Sequence, residues 1–476
     1  MTSYPFQILA DGHHPMEGLS TRNVAADPGD GKGKPFYIET FGCQMNVHDS
    51  EKVAGVLMAR GYRPVASPEE AEVIFYNTCS IREKAAQKVF SRLGTFRKSG
   101  DGDRKIIGVL GCVAQQEADR IFERAPHVSL VCGSASYPKL PDLLAQIEMG
   151  HRRVTGLSLD TEDCFETEIT RRDNRFRAYI TIIEGCDKAC SYCVVPKTRG
   201  PERSRSSSTI LDECQRLAGD GFTEIQLLGQ TVNSYRDPAP ARLSFAELLT
   251  RVAQVPGIRR VRFTTSHPRD FTPDIVRAID QNPVLCNQIH LPVQSGSNRV
   301  LKRMLRTYTR EEYLERIHSI REAKRAICIS TDIIVGFCGE TSEDFQETLS
   351  LLETVGYDQV FSFKYSPRPN TAAGRLEDSV SEEEKGQRLA VLHAKQREIQ
   401  AQRNRACVGR EYEVLVEGFH PRLGQTVGRT ASNRIINFPG EPSWVGHYMN
   451  VRVTASGPNS LVGQLSRKQA AVPAER

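Results

Sequence analysis

Three cysteines crowd into the segment Glu184-Gly185-Cys186-Asp187-Lys188-Ala189-Cys190-Ser191-Tyr192-Cys193, spaced CxxxCxxC. Three thiolates so close together, with no fourth ligand nearby, can hold three irons of a 4Fe–4S cluster and leave the fourth iron open to a substrate or cofactor. A site closed by four thiolates instead stores structure or moves electrons. Structural zinc favours paired CxxC motifs or CxxC with histidines, and the nearest histidines, His151 and His267, stand far off in sequence. A disulfide framework fits poorly, because thirteen cysteines in 476 residues is a sparse and odd count without a secretory signal. The spacing points to chemistry at an open iron.

Such a loop needs a scaffold that presents it. Residues 172–404 repeat a strand–helix unit six times, with strands expected at Ala178–Ile183, Glu224–Leu228, Arg260–Thr264, Gln288–Leu291, Ser330–Val335 and Val360–Tyr365. Each strand runs into polar or glycine-rich residues, the pattern of an open (βα)6 partial TIM barrel with its active groups on the loops after the strands. The cysteine loop follows the first strand, on that face, and six units rather than eight leave a lateral mouth for a large substrate.

Residues 35–152 alternate strands and helices in the manner of a doubly wound parallel sheet. Strands are expected at Phe36–Phe41, Glu72–Tyr76, Lys105–Leu110 and Val128–Val131, with helices from Asp49 or Ser50 as N-cap, from about Arg82 and from about Gln115. Cys43, Cys79 and Cys112 each fall between a strand end and a helix start, so the carboxyl edge of the sheet could gather them. A free cysteine is most often a small buried hydrophobe, but three in the same place favour a second metal site. Cys132 shares the placement and stays open as a ligand.

The remaining segments are plainer. Residues 1–34 read as a disordered tail, Ser381–Arg405 as a helical linker with basic residues such as Lys385, Arg388 and Arg403 on its polar positions, and 407–470 as a small antiparallel β-barrel. That barrel is mildly basic, with eight Lys or Arg against five acids from Cys407 to Arg476. The net charge of +5 permits a nucleic-acid partner without demanding one. With 39% hydrophobic and 25% charged residues and no long apolar run, the chain reads as globular, cytoplasmic and free of membrane spans.

The segments Thr40-Phe41-Gly42-Cys43-Gln44-Met45-Asn46, Asn77-Thr78-Cys79-Ser80-Ile81-Arg82 and Gly111-Cys112-Val113-Ala114-Gln115-Gln116 resemble the three cysteine motifs of the methylthiotransferases. Cys186 to Cys193, continuing Val194-Val195-Pro196, resembles that family's radical S-adenosylmethionine (SAM) signature. The likeness runs on through Leu228–Tyr235, Leu291–Ser297 and Asp332–Gly336, and the last block resembles the RNA-binding TRAM domain. The Gln-Met-Asn after Cys43 and the Ser-Ile-Arg after Cys79 are most similar to the branch acting on N(6)-dimethylallyladenosine of tRNA. Two departures stand out: Cys338 where the family has proline, read as tolerated, and Lys197 where an aromatic is frequent.

The resemblance implies two 4Fe–4S clusters, one on Cys186, Cys190 and Cys193 that binds and cleaves SAM, the other on Cys43, Cys79 and Cys112 that holds the sulfur to be inserted. It implies methylthiolation of carbon 2 of N(6)-dimethylallyladenosine at tRNA position 37, with a second SAM as methyl donor. SAM contacts are expected at Gln230, Asn233, Gln294, Ser295 and Gly336, the glycine letting adenine approach the backbone. Arg199, Arg203 and Arg205, the basic linker and the last barrel could meet phosphates of the anticodon stem-loop. A flavodoxin- or ferredoxin-type electron donor and a monomeric chain complete the expectation. The rival readings are a sister methylthiotransferase, acting on threonylcarbamoyl-adenosine or a ribosomal-protein aspartate, and a zinc-stabilised non-catalytic RNA-binding protein.

Overall fold

The computed structural model describes residues 33–80, 83–99, 105–159 and 170–466. The expected tail falls outside these residues except for its last two, as do Ile81 and Arg82 of the second cysteine motif and the end of the last block beyond Ser466.

The N-terminal sheet is parallel. Its strands are β1 (Pro35–Phe41), β2 (Arg63–Pro64), β3 (Val73–Thr78), β4 (Ile106–Gly111), β5 (Leu130–Cys132) and β6 (Val154–Gly156), in the order β2-β1-β3-β4-β5-β6. Two short edge strands therefore join the four read from sequence. Its helices are α1 (Gln44–Ala59), α2 (Glu83–Ser99), α3 (Cys112–Glu117), α4 (Arg120–Arg124) and α5 (Leu140–Glu148). On one face α1 and α5 bring Val53, Leu57, Leu140 and Leu144 against Ile38 and Phe75. On the other, α2 and α4 bring Val89, Leu93, Ile121 and Phe122 against Ile74 and Val109. The sheet is doubly wound, and its winding reverses between β1 and β3, where such sheets open a crevice at their carboxyl ends.

One helix start differs from expectation. Asp49 and Ser50 do not cap α1; the extended Cys43 does, its carbonyl accepting from the Asn46 and Val47 amides at 3.0 and 3.2 Å. Asp49 and Ser50 are buried inside the helix instead.

The central block forms β7 (Arg177–Thr181), β8 (Ile183–Glu184), α6 (Val195–Thr198), β9 (Arg203–Ser204), α7 (Ser207–Gly219), β10 (Glu224–Leu228), α8 (Phe245–Ala253), β11 (Arg260–Thr264), α9 (Pro273–Gln281), β12 (Gln288–His290), α10 (Asn298–Arg303), α11 (Arg310–Arg321), β13 (Cys328–Val335), α12 (Ser342–Val355) and β14 (Gln359–Lys364). The six expected barrel strands stand as two parallel sheets, β7-β10-β11 and β12-β13-β14, joined at the bridge Val261–Leu285 and by the Ser266 amide donating to the His290 carbonyl at 3.3 Å. Among the described residues β14 and β7 do not pair, so the barrel is open at the side. The β8–β9 hairpin carries the cysteine loop at the carboxyl end of β7.

Helix α13 (Glu382–Arg405) is no free linker, because it packs along α12 and β14. Lys385 and Arg388 are buried in ion pairs with Asp378, Glu382 and Glu340, and Arg403 donates to the Gly356 carbonyl at 2.7 and 3.0 Å. These bases are therefore spent on the fold rather than held out for phosphate.

The last block is a closed barrel of β15 (Glu411–His420), β16 (Gln425–Thr430), β17 (Ile435–Pro439), β18 (Tyr448–Ser456) and β19 (Leu461–Leu465), ordered β15-β16-β17-β19-β18. The sequence reading missed β17. This barrel seals the amino ends of β7, β10 and β11, opposite the cysteine loop. Arg260 donates to the carbonyls of Arg429 and Glu413 at 2.7 and 2.8 Å, and Arg262 to those of Thr430 and Ala431 at 2.7 and 3.2 Å. Arg177 bridges Glu224 and Glu417. No helix of the described residues is long and apolar enough to cross a membrane.

Candidate functional site

At the carboxyl ends of the barrel strands lies a cavity of about 330 Å³. One wall is the cysteine loop with Cys186, Cys190 and Cys193; the facing wall is the start of α1, with Cys43, Gln44 and Met45. The two cysteine-bearing segments thus meet across one space, although separate sheets carry them.

The loop sulfurs are provided with donors. The Lys188 amide points at Cys186 Sγ from 3.4 Å, the Val195 amide at Cys193 Sγ from 3.5 Å, and Arg306 Nη1 at Cys190 Sγ from 3.2 Å. Burial pushes the Cys186 thiol up and the Cys193 thiol up to about 12. Iron bound there would displace protons, the usual coupling for thiolate sites, and the N–H groups are placed where they would stabilise the resulting sulfur charge.

The first sheet brings its strand ends close together. Gly42 has φ +133°, and a Cβ on it would stand 2.4 Å from Cys79 Cβ, so only glycine lets β1 deliver Cys43 beside Cys79. Gly111, φ +88°, plays the same part before Cys112, where a Cβ would meet Asn77 Oδ1 at 2.4 Å. The Cys79 thiol, hydrogen-bonded to Cys43, does most to lower Cys43 to about 6, against the opposing effect of burial. Cys43 Sγ also contacts Asn46 Oδ1 at 3.1 Å, and Asn46 and Asn77 are bonded to each other at 3.1 and 2.9 Å. Cys112 opens α3, which packs against α6 immediately after Cys193.

Among the described residues no three His, Cys, Asp or Glu side chains form a group able to hold a single metal ion. A cluster asks something different, one iron for each thiolate: the three loop thiols act on one another and Cys43 is hydrogen-bonded to Cys79, while Cys112 follows Gly111, the β4 residue paired with Thr78. Like Cys79 and Cys112, Cys132 does not line the cavity. It is fully buried among Leu130, Leu140 and Val154, its Sγ 3.4 Å from the Gly133 carbonyl, and is a core residue. Cys338 is likewise buried beside Ala373.

The five residues expected to touch SAM separate into two groups. Gln230 and Gln294 line the cavity, and Gln230 Oε1 is buried without a hydrogen-bond partner among the described residues, an acceptor left for a ligand. Asn233, Ser295 and Gly336 do not line it. Asn233 is tied to the backbone of His267 at 2.7 and 2.9 Å, and Ser295 accepts from the Ser297 amide at 3.2 Å. Gly336, φ +70°, faces Lys385, whose Cγ would lie 2.3 Å from an added Cβ; packing against α13 explains the glycine.

The phosphate expectation for the loop arginines does not hold. Arg199 is buried on Asp49, Arg205 on Glu213, and Arg203 pairs with Glu184 at 3.2 Å. They join the barrel to α1 or to itself.

Several wall residues carried no signal in the sequence. Lys188 reaches Asp270 at 2.5 Å. His267 is held neutral at about 2, first by burial and then by the charge of Arg306. Met45, Leu228, Ile334 and Phe363 make much of the wall apolar, which suits a flat, largely apolar ligand and excludes water from it.

Comparison with known proteins places this geometry. Residues 35–133 match the family model "Uncharacterized protein family UPF0004", residues 180–352 the "Radical SAM superfamily" and residues 405–466 the "TRAM domain". A protein of Solibacter usitatus (strain Ellin6076), named tRNA-2-methylthio-N(6)-dimethylallyladenosine synthase, is 63% identical over 436 residues, 91% of this chain and 98% of the relative. Its namesake from Koribacter versatilis (strain Ellin345) is 57% identical over 448 residues, 93% of this chain and 99% of the relative. Among solved structures, the radical S-adenosylmethionine methyltransferase TsrM from Kitasatospora setae aligns with TM-score 0.53 at 13% identity, covering 72% of this chain and 75% of that one, a likeness of fold.

Proposed function

The chain belongs to the tRNA-2-methylthio-N(6)-dimethylallyladenosine synthase family, and from that premise we propose how its residues divide the work of this radical SAM tRNA methylthiotransferase. The reaction puts sulfur on carbon 2 of the modified adenine and then methylates that sulfur. Cys186, Cys190 and Cys193 hold one 4Fe–4S cluster, and Cys43, Cys79 and Cys112 hold a second. Bound there, the clusters and SAM supply radical chemistry at an unactivated carbon, together with the sulfur and methyl groups.

The protein's own share is binding, orientation and exclusion of water. Gln230 offers its unpartnered Oε1, and Gln294 a second polar contact, to SAM. Met45, Leu228 and Phe363 keep the cavity dry around the base. The observation that carries this reading is the shared cavity: Cys43 and the loop cysteines line the same space, so a base between them reaches both.

The target is the adenosine beside the anticodon, in a single-stranded loop. A loop base can be splayed out and held by its edge at little cost, and the TRAM barrel supplies an RNA-binding module on the same chain. A low-potential, one-electron donor of the flavodoxin or ferredoxin class reduces the SAM-binding cluster, and a single chain is the working unit.

Anaerobically loaded protein should carry about eight irons per chain. Cys190→Ala should abolish SAM cleavage, whereas Cys79→Ala should keep SAM cleavage and stop sulfur transfer. A well-folded Cys79→Ala protein that no longer cleaves SAM would overturn the division of labour. Persistence of 2-methylthio-dimethylallyladenosine in tRNA from a deletion strain would remove the assignment itself.

A further inference from the structure

Arg306 follows α10 and turns its side chain inward beneath the cysteine loop, with only 9% of the residue exposed. Its guanidinium is fixed at three points. Nε donates to Tyr308 Oη at 3.0 Å, Nη2 to the Pro292 carbonyl at 3.2 Å, and Nη1 to Cys190 Sγ at 3.2 Å. The tyrosine is anchored in turn, donating to the Val293 carbonyl at 2.8 Å.

What Arg306 lacks is a carboxylate. The other buried arginines near the site each have one: Arg199 has Asp49, Arg205 and Arg172 have Glu213, and Arg388 has Glu340. Among the described residues no Asp or Glu lies within ion-pair distance of Arg306. A buried guanidinium without a counter-charge is strongly disfavoured, and its Nη1 is aimed at a sulfur that becomes anionic when it ligates iron.

We propose that Arg306 is a positioning residue that supplies the counter-charge to the Cys190 thiolate and so raises the reduction potential of the cluster held there. One-electron reduction makes the cluster more negative. A cation and an N–H···S bond at one of its thiolates therefore stabilise the reduced form more than the oxidised form. The inference rests on Cys186, Cys190 and Cys193 being cluster ligands. It goes further by naming what makes that cluster reducible.

The test is an electron-paramagnetic-resonance redox titration of the anaerobic, iron-loaded holoenzyme, following the signal that responds to SAM, with dithionite as reductant. R306Q should shift the midpoint to more negative potential. R306K, which keeps the charge and one donor, should recover part of that shift, and Y308F, which frees the guanidinium, should give a smaller shift of the same sign. A fully loaded R306Q protein with an unchanged midpoint overturns the proposal, as does one that has lost only SAM affinity, since that would make Arg306 a clamp for the SAM carboxylate. Should R306Q fail to retain iron, unchanged midpoints in R306K and Y308F overturn it equally. Wild-type protein that takes up no iron on the loop cysteines would instead defeat the cluster reading, a separate result.

Discussion

Asp49→Asn should loosen the joint between the N-terminal sheet and the barrel, and with it the register of the two cysteine sets. Arg199 Nη2 meets Asp49 Oδ2 at 2.5 Å and Nη1 meets Oδ1 at 3.3 Å, with side chains only 4% and 3% exposed. Removing one partner of a buried pair leaves the other charge uncompensated, at about 3–5 kcal/mol. Asparagine keeps one acceptor for the guanidinium, so about 3 kcal/mol is the expected figure. At about 1.4 kcal/mol per factor of ten, amides of α1 that exchange through undocking should exchange about a hundredfold faster. Hydrogen exchange by mass spectrometry, read on peptides of residues 44–59, measures this. The double substitution Asp49→Leu with Arg199→Met should return exchange close to wild type, because apolar groups of similar volume replace buried ion pairs at little cost. Exchange of α1 in Asp49→Asn within threefold of wild type would refute the reasoning.

Three other outcomes follow from the geometry. Gly42→Ala places a methyl group 2.4 Å from Cys79 Cβ; iron should fall from about eight to about four per chain while SAM cleavage persists, and full iron content would contradict this. Gly336→Ala drives a Cβ to 2.3 Å from Lys385 Cγ, an overpacking worth about 1–3 kcal/mol. The apparent melting midpoint should drop with SAM affinity unchanged, and loss of SAM affinity at an unchanged midpoint would restore the glycine to the SAM site. Burial raises the Glu417 carboxyl, but Arg177 and Arg429 prevail and hold it at about 2. A depressed carboxyl stabilises the joint above its unfolded value and loses that contribution as pH falls from about 4.3 toward 2. Trp444 fluorescence of the apoprotein should report this acid loss, and Glu417→Gln should flatten it; an equally steep acid transition in Glu417→Gln would exclude Glu417 as its source.

The expectation for the cysteines rests on local information. Spacing alone separates CxxxCxxC from zinc and disulfide patterns, and strand-end placement singles out Cys43, Cys79 and Cys112. Placement could not divide them from Cys132, which packs among Leu130, Leu140 and Val154 in one of the sheet's apolar clusters. Misreadings arose where a residue's partner comes from elsewhere in the chain. Asp49 and Ser50 have the chemistry of N-caps, yet Asp49 is committed to an arginine 150 residues away. Arg199 and Arg205 read as a basic loop because their carboxylates lie in helices α1 and α7. Gly336 read as an opening for a ligand, while the atom that fills the space belongs to Lys385 in α13. The strand β17 went unread because Ile435–Pro439 ends in proline; it forms a hairpin with β16 and takes its other partner, β19, from farther along the chain.

The contact between the two barrels has a consequence for how such a chain can diverge. Arg260 and Arg262 hold the TRAM barrel by four carbonyl oxygens, those of Glu413, Arg429, Thr430 and Ala431. Every residue type offers the same carbonyl, so these four bonds do not depend on the side chains there, although Glu413 adds ion pairs to Arg259 and Arg260 and Arg429 one to Glu417. What must persist is backbone shape, including the register shift between Val416 and Gly418 where Glu417 is re-aimed toward Arg177. These bonds therefore tolerate side-chain drift between lineages, whereas a one-residue insertion in β15 or β16 would shift the register and carry the carbonyls away from Arg260 and Arg262.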